Sequence, residues 1–332
     1  MTARKLVPTI SQVAAEANVA RSSVSRAFTK PYMLSDDTVR RIKEAAERLG
    51  YAPNHTARAL STGRHGNIAL VVPDVANPFF PPMIRAAQAE AYASDFCVFL
   101  GNTDEDPKQE DRLLDRFAGQ VEGLVLASSR MSDERIRAHA RKRPLVLINR
   151  DVEGIPRVLI DSASGVKEAV RHLADLKHRK IVYVSGPAAS WSNKQRRTAV
   201  REAAAKAGLQ VEIVAASVPT FAVGRAVAAP IVATGATAVI AFDDLIAQGI
   251  MAGLADLKIA VPDSVSVIGC DDVLGAATYP PLTTVSNRSV EAGKAALSLL
   301  MEMLRSQAIR DVRYVLETHL VIRNSTGRAK TR

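Results

Sequence analysis

From residue 67 onward, short apolar runs alternate with amphipathic helical patterns, and this constrains the fold more than any other feature of the 332-residue chain. The runs fall at 68–72, 96–100, 124–127, 145–148, 181–185, 238–242 and 265–269. Each is nearly continuous in apolar residues, as a strand buried on both faces must be. Helices between successive strands predict parallel sheets covered on both sides. Ligands in such folds bind beyond the carboxyl ends of the strands. Those ends carry Asp74, Asn77 and Phe79, then Asn102 and Asp104, then Asn149 and Arg150, then Asp243 and Asp244, and finally Asp271 and Asp272. Polar groups placed repeatedly just past buried strands predict one converging cleft. Asp and Asn also cap helices, and Asp74 and Asp244 read as caps or turn formers.

The charge lies elsewhere. The formal net charge is +10, and the first 65 residues hold +6 of it, with 11 Lys and Arg against 5 Asp and Glu. A basic block ahead of a near-neutral body predicts a nucleic-acid module on a larger domain. Within the block, Thr9 and Gln12 have the spacing of a capping box, and Ile10, Val13, Ala14 and Ala17 follow at helical spacing. Asn18 tolerates the left-handed backbone of a tight turn. A second short helix is predicted from about Ala20 to Phe28, with Val24 and Ala27 inward. A third has Ser35 as N-cap, an apolar face of Val39, Ile42, Ala46 and Leu49, and Gly50 at its C-terminal cap. Three short amphipathic helices close a small core around a helix-turn-helix, and their surplus Arg and Lys suit phosphates.

The stretches Thr9-Ile10-Ser11-Gln12-Val13-Ala14, Val24-Ser25-Arg26 and Leu49-Gly50-Tyr51-Ala52-Pro53-Asn54, in this order and spacing, resemble the LacI/GalR family of bacterial regulators. The resemblance implies that the second helix lies in the major groove of operator DNA. Arg21 and Ser22 would then approach base edges with Arg26 a turn further on, and Ser11, Ser23 and Ser25 would bond phosphates. It also implies a hinge helix at residues 54–60. There Leu60 would be an apolar wedge in the minor groove, beside Asn54, Ala57 and Arg58. Two positions depart from the family pattern: Asn18 stands where Gly is usual, and Ala20, which cannot cap, stands where Ser or Thr is usual.

The resemblance runs on through Asn77-Pro78-Phe79-Phe80, Ser185-Gly186-Pro187, residues 261–269, Pro280-Pro281-Leu282-Thr283-Thr284-Val285 and Arg323-Asn324-Ser325-Thr326. It implies a three-helix DNA-binding domain with a hinge helix at 1–62, then a periplasmic-binding-protein-like α/β body at 63–332. The body would have two parallel-sheet subdomains, one at about 67–162 and 287–316, the other at about 163–286 and 317–325. The family's effector contacts fall on Phe79, Asn149, Arg196, Phe221, Asp243 and Asp271. Arg196 would bridge ligand oxygens, the two Asp would accept hydroxyls or amines, and Phe79 or Phe221 would offer a ring face. Asp243 stands where Asn is usual, and Cys270 stands where a bulkier residue is common. An acidic pair with one Arg favours a sugar, a polyol or an amine-bearing ligand. A nucleobase or nucleoside-like corepressor is the alternative. Trp191, the only Trp, lies near the same loop.

The rival classes find less support. No phosphate-binding Gly-rich loop, dinucleotide fingerprint or nucleophile elbow is present, and the six His lack metal-ligand spacing. Neither catalytic residues, a metal nor a cofactor is therefore expected. Residues 1–12 lack a continuous apolar segment, and no apolar run of membrane-spanning length occurs, which argues against an exported solute-binding protein and for a cytoplasmic one. Cys97 and Cys270 each end or interrupt an apolar run and are expected as buried thiols. The last residues, Arg328-Ala329-Lys330-Thr331-Arg332, carry no heptad pattern, which favours a homodimer over a tetramer.

Overall fold

The computed structural model describes residues 8–52, 65–308 and 310–330. The chain divides into two units, Met1–His65 and Gly66–Arg332.

The first unit holds three helices, α1 (Ile10–Glu16), α2 (Arg21–Thr29) and α3 (Asp36–Leu49). The capping box forms: Thr9 N donates to Gln12 Oε1 at 2.8 Å, and Gln12 N donates back to Thr9 Oγ1. Asn18 takes the left-handed backbone (φ 50°) that turns the chain from α1 to α2. Ser35 caps α3, and Gly50 ends it at φ 65°. Val13, Ala14, Ala17, Val24, Ala27, Ile42, Ala45 and Ala46 form the buried core. Val39 and Leu49, expected on the inner face of α3, are half-buried, and Ala45 takes an inner position instead.

The second unit contains two six-stranded sheets. The first has the order β11-β5-β4-β3-β1-β2, with β1 (Asn67–Val72), β2 (Cys97–Asn102), β3 (Gly123–Ala127), β4 (Leu145–Ile148), β5 (Arg157–Asp161) and β11 (Arg313–Glu317). All its pairings are parallel. The second has the order β12-β10-β9-β8-β6-β7, with β6 (Lys180–Ser185), β7 (Gln210–Ala215), β8 (Ala238–Ala241), β9 (Ser266–Cys270), β10 (Thr283–Val285) and β12 (Leu320–Val321). Only β12 runs antiparallel to its neighbour. Helices α4 (Phe80–Tyr92), α5 (Pro107–Phe117), α6 (Asp133–Ala140) and α12 (Ser289–Ser306) belong with the first sheet. Helices α7 (Ser162–Asp175), α8 (Trp191–Ala207), α9 (Phe221–Ala226), α10 (Ala228–Ala233) and α11 (Asp244–Asp256) belong with the second.

The chain passes between the sheets three times, and the crossings lie side by side. Thr318 Oγ1 donates to Asp161 O at 2.7 Å, and Ser286 and His319 exchange backbone and side-chain bonds at 2.8 and 3.0 Å. Three adjacent segments held this way join the two subdomains, the middle crossing running opposite to the other two.

Five strands, β5, β7, β10, β11 and β12, were not predicted from the apolar runs. β5 begins with a buried Arg157, whose guanidinium is caught by Asp151 at 2.5 Å and by Asp311. A charge in a sheet interior is tolerable only with such partners; Asp151 precedes Arg157 by six residues, while Asp311 comes from 154 positions on. β7 and β11 are edge strands, largely solvent-facing, so they lack a continuous apolar pattern. Cys97 is exposed rather than buried, because β2 is also an edge strand. Cys270 is buried.

The tightest helix contact in the second subdomain is that of α9 against α11, made at glycines. A Cβ on Gly249 would collide with the carbonyl oxygen of Phe221, and one on Gly224 with that of Ile246. Both obstacles are backbone and cannot rotate away. Gly249→Ala should therefore destabilise the body by about 1–3 kcal/mol, the usual cost of overpacking. Urea denaturation checks this: the midpoint falls with an unchanged slope.

Candidate functional site

Two surfaces carry chemistry. On the first unit, α2 buries Val24 and Ala27 and turns Arg21, Ser22, Ser25, Arg26 and Thr29 to solvent, with Ser23 half-buried. Ser11 is exposed near the start of α1. The cations of α3 are largely engaged: Arg40 with Asp37 at 2.6 Å and with Glu44, Arg41 with Asp37, and Arg48 with Glu16 at 3.4 Å. Arg21 and Arg26 have no ion pair among the described residues, so the exposed face of α2 keeps its positive charge for a partner. Ala20 offers no side-chain cap. Ser23 N and Val24 N both turn back to Ala20 O, which leaves the N–H groups of Arg21 and Ser22 without an intrahelical acceptor. Asn54, Ala57, Arg58 and Leu60 lie outside the described residues.

In the second unit, the carboxyl ends of both sheets face one cleft. Asn77, Phe79, Phe80, Glu105, Ser128, Arg130 and Asn149 line it from the first subdomain. Ser190, Ser192, Arg196, Pro219, Phe242, Asp243 and Asp271 line it from the second, and the partly open cavity measures about 30 Å³. That volume holds about one water.

Local chemistry places these side chains. Ser190 caps α8, and Asn193 bonds Gly186 and Tyr183 Oη, fixing the loop from which α8 carries Arg196 inward. Arg196 is buried and donates to Ser162 Oγ at 3.0 Å, to Asp271 Oδ1 at 2.8 Å and to Phe242 O, with its guanidinium 5.0 Å from the Phe242 ring centroid. A guanidinium has five N–H groups, so two are left for a ligand. Asp271 has φ 107°, a left-handed conformation costly for a residue with a side chain, held where its carboxylate meets Arg196. Asn149, at φ 52°, accepts from Ile160 N at 2.9 Å through Oδ1, and its Nδ2 has no partner among the described residues. Phe79 packs edge-on against Phe80, with centroids 5.1 Å apart.

Asp243 is the N-cap of α11, accepting from Ile246 N at 2.8 Å, while its Oδ2 accepts from Asn77 Nδ2 at 3.0 Å across the cleft. Burial, with the Asp271 carboxylate nearby, pushes the Asp243 carboxyl up to about 7. Burial raises Asp271 too, against the pull of Arg196. Asp244, expected as a cap or turn former, leaves the cap to Asp243. It accepts instead from Thr284 Oγ1 at 2.6 Å and Val273 N at 3.0 Å, bracing the loops behind the cleft. Asp74 closes a turn onto Ala76 N at 2.8 Å.

The cleft thus gathers Phe79, Asn149, Arg196, Asp243 and Asp271. Phe221 does not line it: Thr220 caps α9, Phe221 at its start is 41% exposed, and Pro219 takes the lining position. Trp191 and Cys270 are also absent from the lining. Ser128 and Arg130, which follow β3, could have been found by the rule that identified the other strand ends. Glu105 could not, because its role rests on a bidentate pairing with Arg130 from another loop, at 2.5 and 3.0 Å. Among the described residues no group of three or more His, Cys, Asp or Glu is placed to hold a metal, and no helix is long and apolar enough to cross a membrane.

A helix-turn-helix whose α2 face carries cations without ion pairs among the described residues, in a chain whose body has a polar cleft between two sheets, fits the architecture of a DNA-binding regulator. Comparison with known proteins agrees. Residues 9–54 match the model of bacterial regulatory proteins of the lacI family, and residues 170–326 match that of a periplasmic binding protein-like domain. The chain is 30% identical to the HTH-type transcriptional regulator DegA of Bacillus subtilis, over 97% of this chain and 99% of that one. The lac repressor dimer bound to operator and an anti-inducer shares the fold, with a TM-score of 0.87 at 22% identity, over 97% of this chain and 99% of that one. A LacI family regulator from Enterococcus faecalis with bound ribose is 29% identical, with a TM-score of 0.71, over 80% of this chain and all of that one. The chain belongs to the LacI family of bacterial regulatory proteins, and it is a transcription regulator rather than an enzyme.

The cleft carboxylates make stability depend on pH. With its carboxyl near 7, Asp243 keeps its proton in the folded chain where the unfolded chain, at about 3.9, has released it. Its contribution to stability is therefore full at low pH and is lost as pH rises through 7. Asp243→Asn removes that titration and keeps a capping side chain. Thermal melts from pH 5 to 8 should show the variant gaining roughly 5–10 °C on the parent by pH 8. Parallel curves would place the titration elsewhere.

Proposed function

We propose that this regulator is a cytoplasmic repressor that binds a pseudo-palindromic operator as a homodimer and changes its affinity when a sugar-like ligand occupies the cleft. The observation that carries the ligand reading is the convergence of Arg196, Asp271, Asp243 and Asn149 beside the Phe79 ring, between two subdomains that three crossings join. Paired acceptors, unused donors and one aromatic face suit a polyhydroxylated ring with a polar rim and an apolar face. The ribose-bound relative supports the class.

On the DNA side, α2 enters the major groove, with Arg21 donating to guanine and Ser22 and Arg26 beside it. Ser11, Ser23 and Ser25 hold phosphates, and the unpaired N–H groups at the start of α2 add to that grip. Residues 54–60 form the hinge helix, with Leu60 as the wedge between base pairs and Asn54, Ala57 and Arg58 around it. The reading unit spans residues 1–62, and the body at 63–332 binds effector and dimerises. Ligand entry parts the subdomains and reclosure sets a new angle, which alters how the two hinge segments of a dimer meet the DNA. A nucleobase or nucleoside is the second reading, favoured by the three Phe rings in the lining, which can stack on a planar base.

The test is fluorescence anisotropy of the protein on its own upstream DNA, with salt titrated and then sugars and nucleosides added. Sequence-dependent binding that one compound shifts is expected, and equal binding to random duplex would overturn the reading. Arg21→Ala should weaken operator binding about 10- to 100-fold, the value of a bidentate base contact, with little change on random DNA. Asp271→Ala should abolish the effector response and leave operator binding of the ligand-free protein intact. Coupling is reciprocal, so effector affinity must differ with and without operator.

A further inference from the structure

The charged side chains lining the cleft do not balance. The charge of Arg130 is paired on its own wall: its Nε and Nη2 grip Glu105, its Nη1 donates to Ser128 O at 2.8 Å, and its backbone N–H meets the buried Glu110 at 3.0 Å. Arg196 is paired with Asp271 at 2.8 Å. Asp243 is left with neutral donors only, Ile246 N and Asn77 Nδ2, and no cation stands within ion-pair distance among the described residues. The lining therefore holds Glu105, Asp243 and Asp271 against Arg130 and Arg196, one carboxylate in excess. Each Asp243 oxygen accepts a single hydrogen bond and keeps acceptor capacity toward the cavity.

A buried carboxylate without a counter-ion is expensive. Among the described residues no other cation lines the cleft, and both of its arginines already pair with a carboxylate. The missing charge must come from the solvent as a proton or from the ligand. We infer that the effector carries a basic nitrogen, an amino sugar or amino polyol, whose ammonium pairs with Asp243 while Asp271, Asn149 Nδ2 and the unused N–H groups of Arg196 hold its hydroxyls. The inference rests on the cleft being the effector site, and it narrows the ligand class there. The raised carboxyl of Asp243 is the thermodynamic counterpart of the same imbalance. Anionic sugars are disfavoured, since Asp243 is the carboxylate of the lining that no cation compensates.

The experiment is isothermal titration calorimetry on the full chain at pH 7 with three matched pairs. These are D-glucosamine with D-glucose, D-galactosamine with D-galactose, and 1-amino-1-deoxy-D-glucitol with D-glucitol. At least one amine should bind on the order of 10- to 100-fold more tightly than its neutral parent, the range of a charge-assisted hydrogen bond. Asp243→Asn should bring that pair to within about threefold of parity. Asn and Ser both keep the cap of α11, so Asp243→Ser serves as the second variant, with thermal melting as the check on folding. The inference is overturned if neutral parents bind as well as the amines, if the preference survives in both variants, or if no amine binds. A neutral sugar whose binding requires Asp271 would overturn it and leave the cleft as the effector site. A failure of every compound to shift operator binding would count against the cleft reading itself.

Discussion

The buried guanidinium of Arg196 ties the second subdomain to the chain's first crossing. One side chain bonds Ser162 at the first crossing, the carbonyl of Phe242 at the end of β8, and Asp271 at the end of β9. Three segments far apart in the chain are thereby fixed at one point. Burying such a charge costs several kcal/mol unless every direction is satisfied, so its partners are held closely. The left-handed backbone at Asp271 is tolerated because this pairing compensates for it.

Around that point the body has few internal ties across its cleft. Away from the crossings, Asn77 to Asp243 is the hydrogen bond that spans the two subdomains among the described residues. The sheets are mostly parallel and buried, and three crossing segments join them, so whatever competes for Asp243 competes with the hydrogen bond that spans the cleft. The helix-turn-helix unit obeys the same economy on a smaller scale. It places its apolar side chains in one core, pairs most of the cations of α3 locally and leaves those of α2 available.

Local chemistry was largely legible. Thr9 with Gln12, Asn18, Ser35 and Gly50 each act within four residues of themselves, so spacing alone gave their roles. The central strands were legible because burial on both faces demands an uninterrupted apolar run. β5, β7 and β11 were hidden, since an edge strand faces water and β5 starts with an Arg whose partners come from elsewhere. Cys97 was misread for the same reason, as apolar neighbours do not reveal which strand lies at the edge.

The amino-acid sequence by itself determined the helix-turn-helix, the alternation that makes parallel sheets, and the polar residues waiting at strand ends. Those follow from short-range geometry: helical and strand periods, caps and turns. Only the tertiary structure decided which of these residues meet. It brought Asn77 to Asp243 across 166 positions and committed Arg130 to Glu105. It also turned Phe221 outward behind Thr220 and left Asp243 without a cation. Charge balance in a buried cleft is a sum over groups from many loops, and the distances in that sum exist only once the chain has folded.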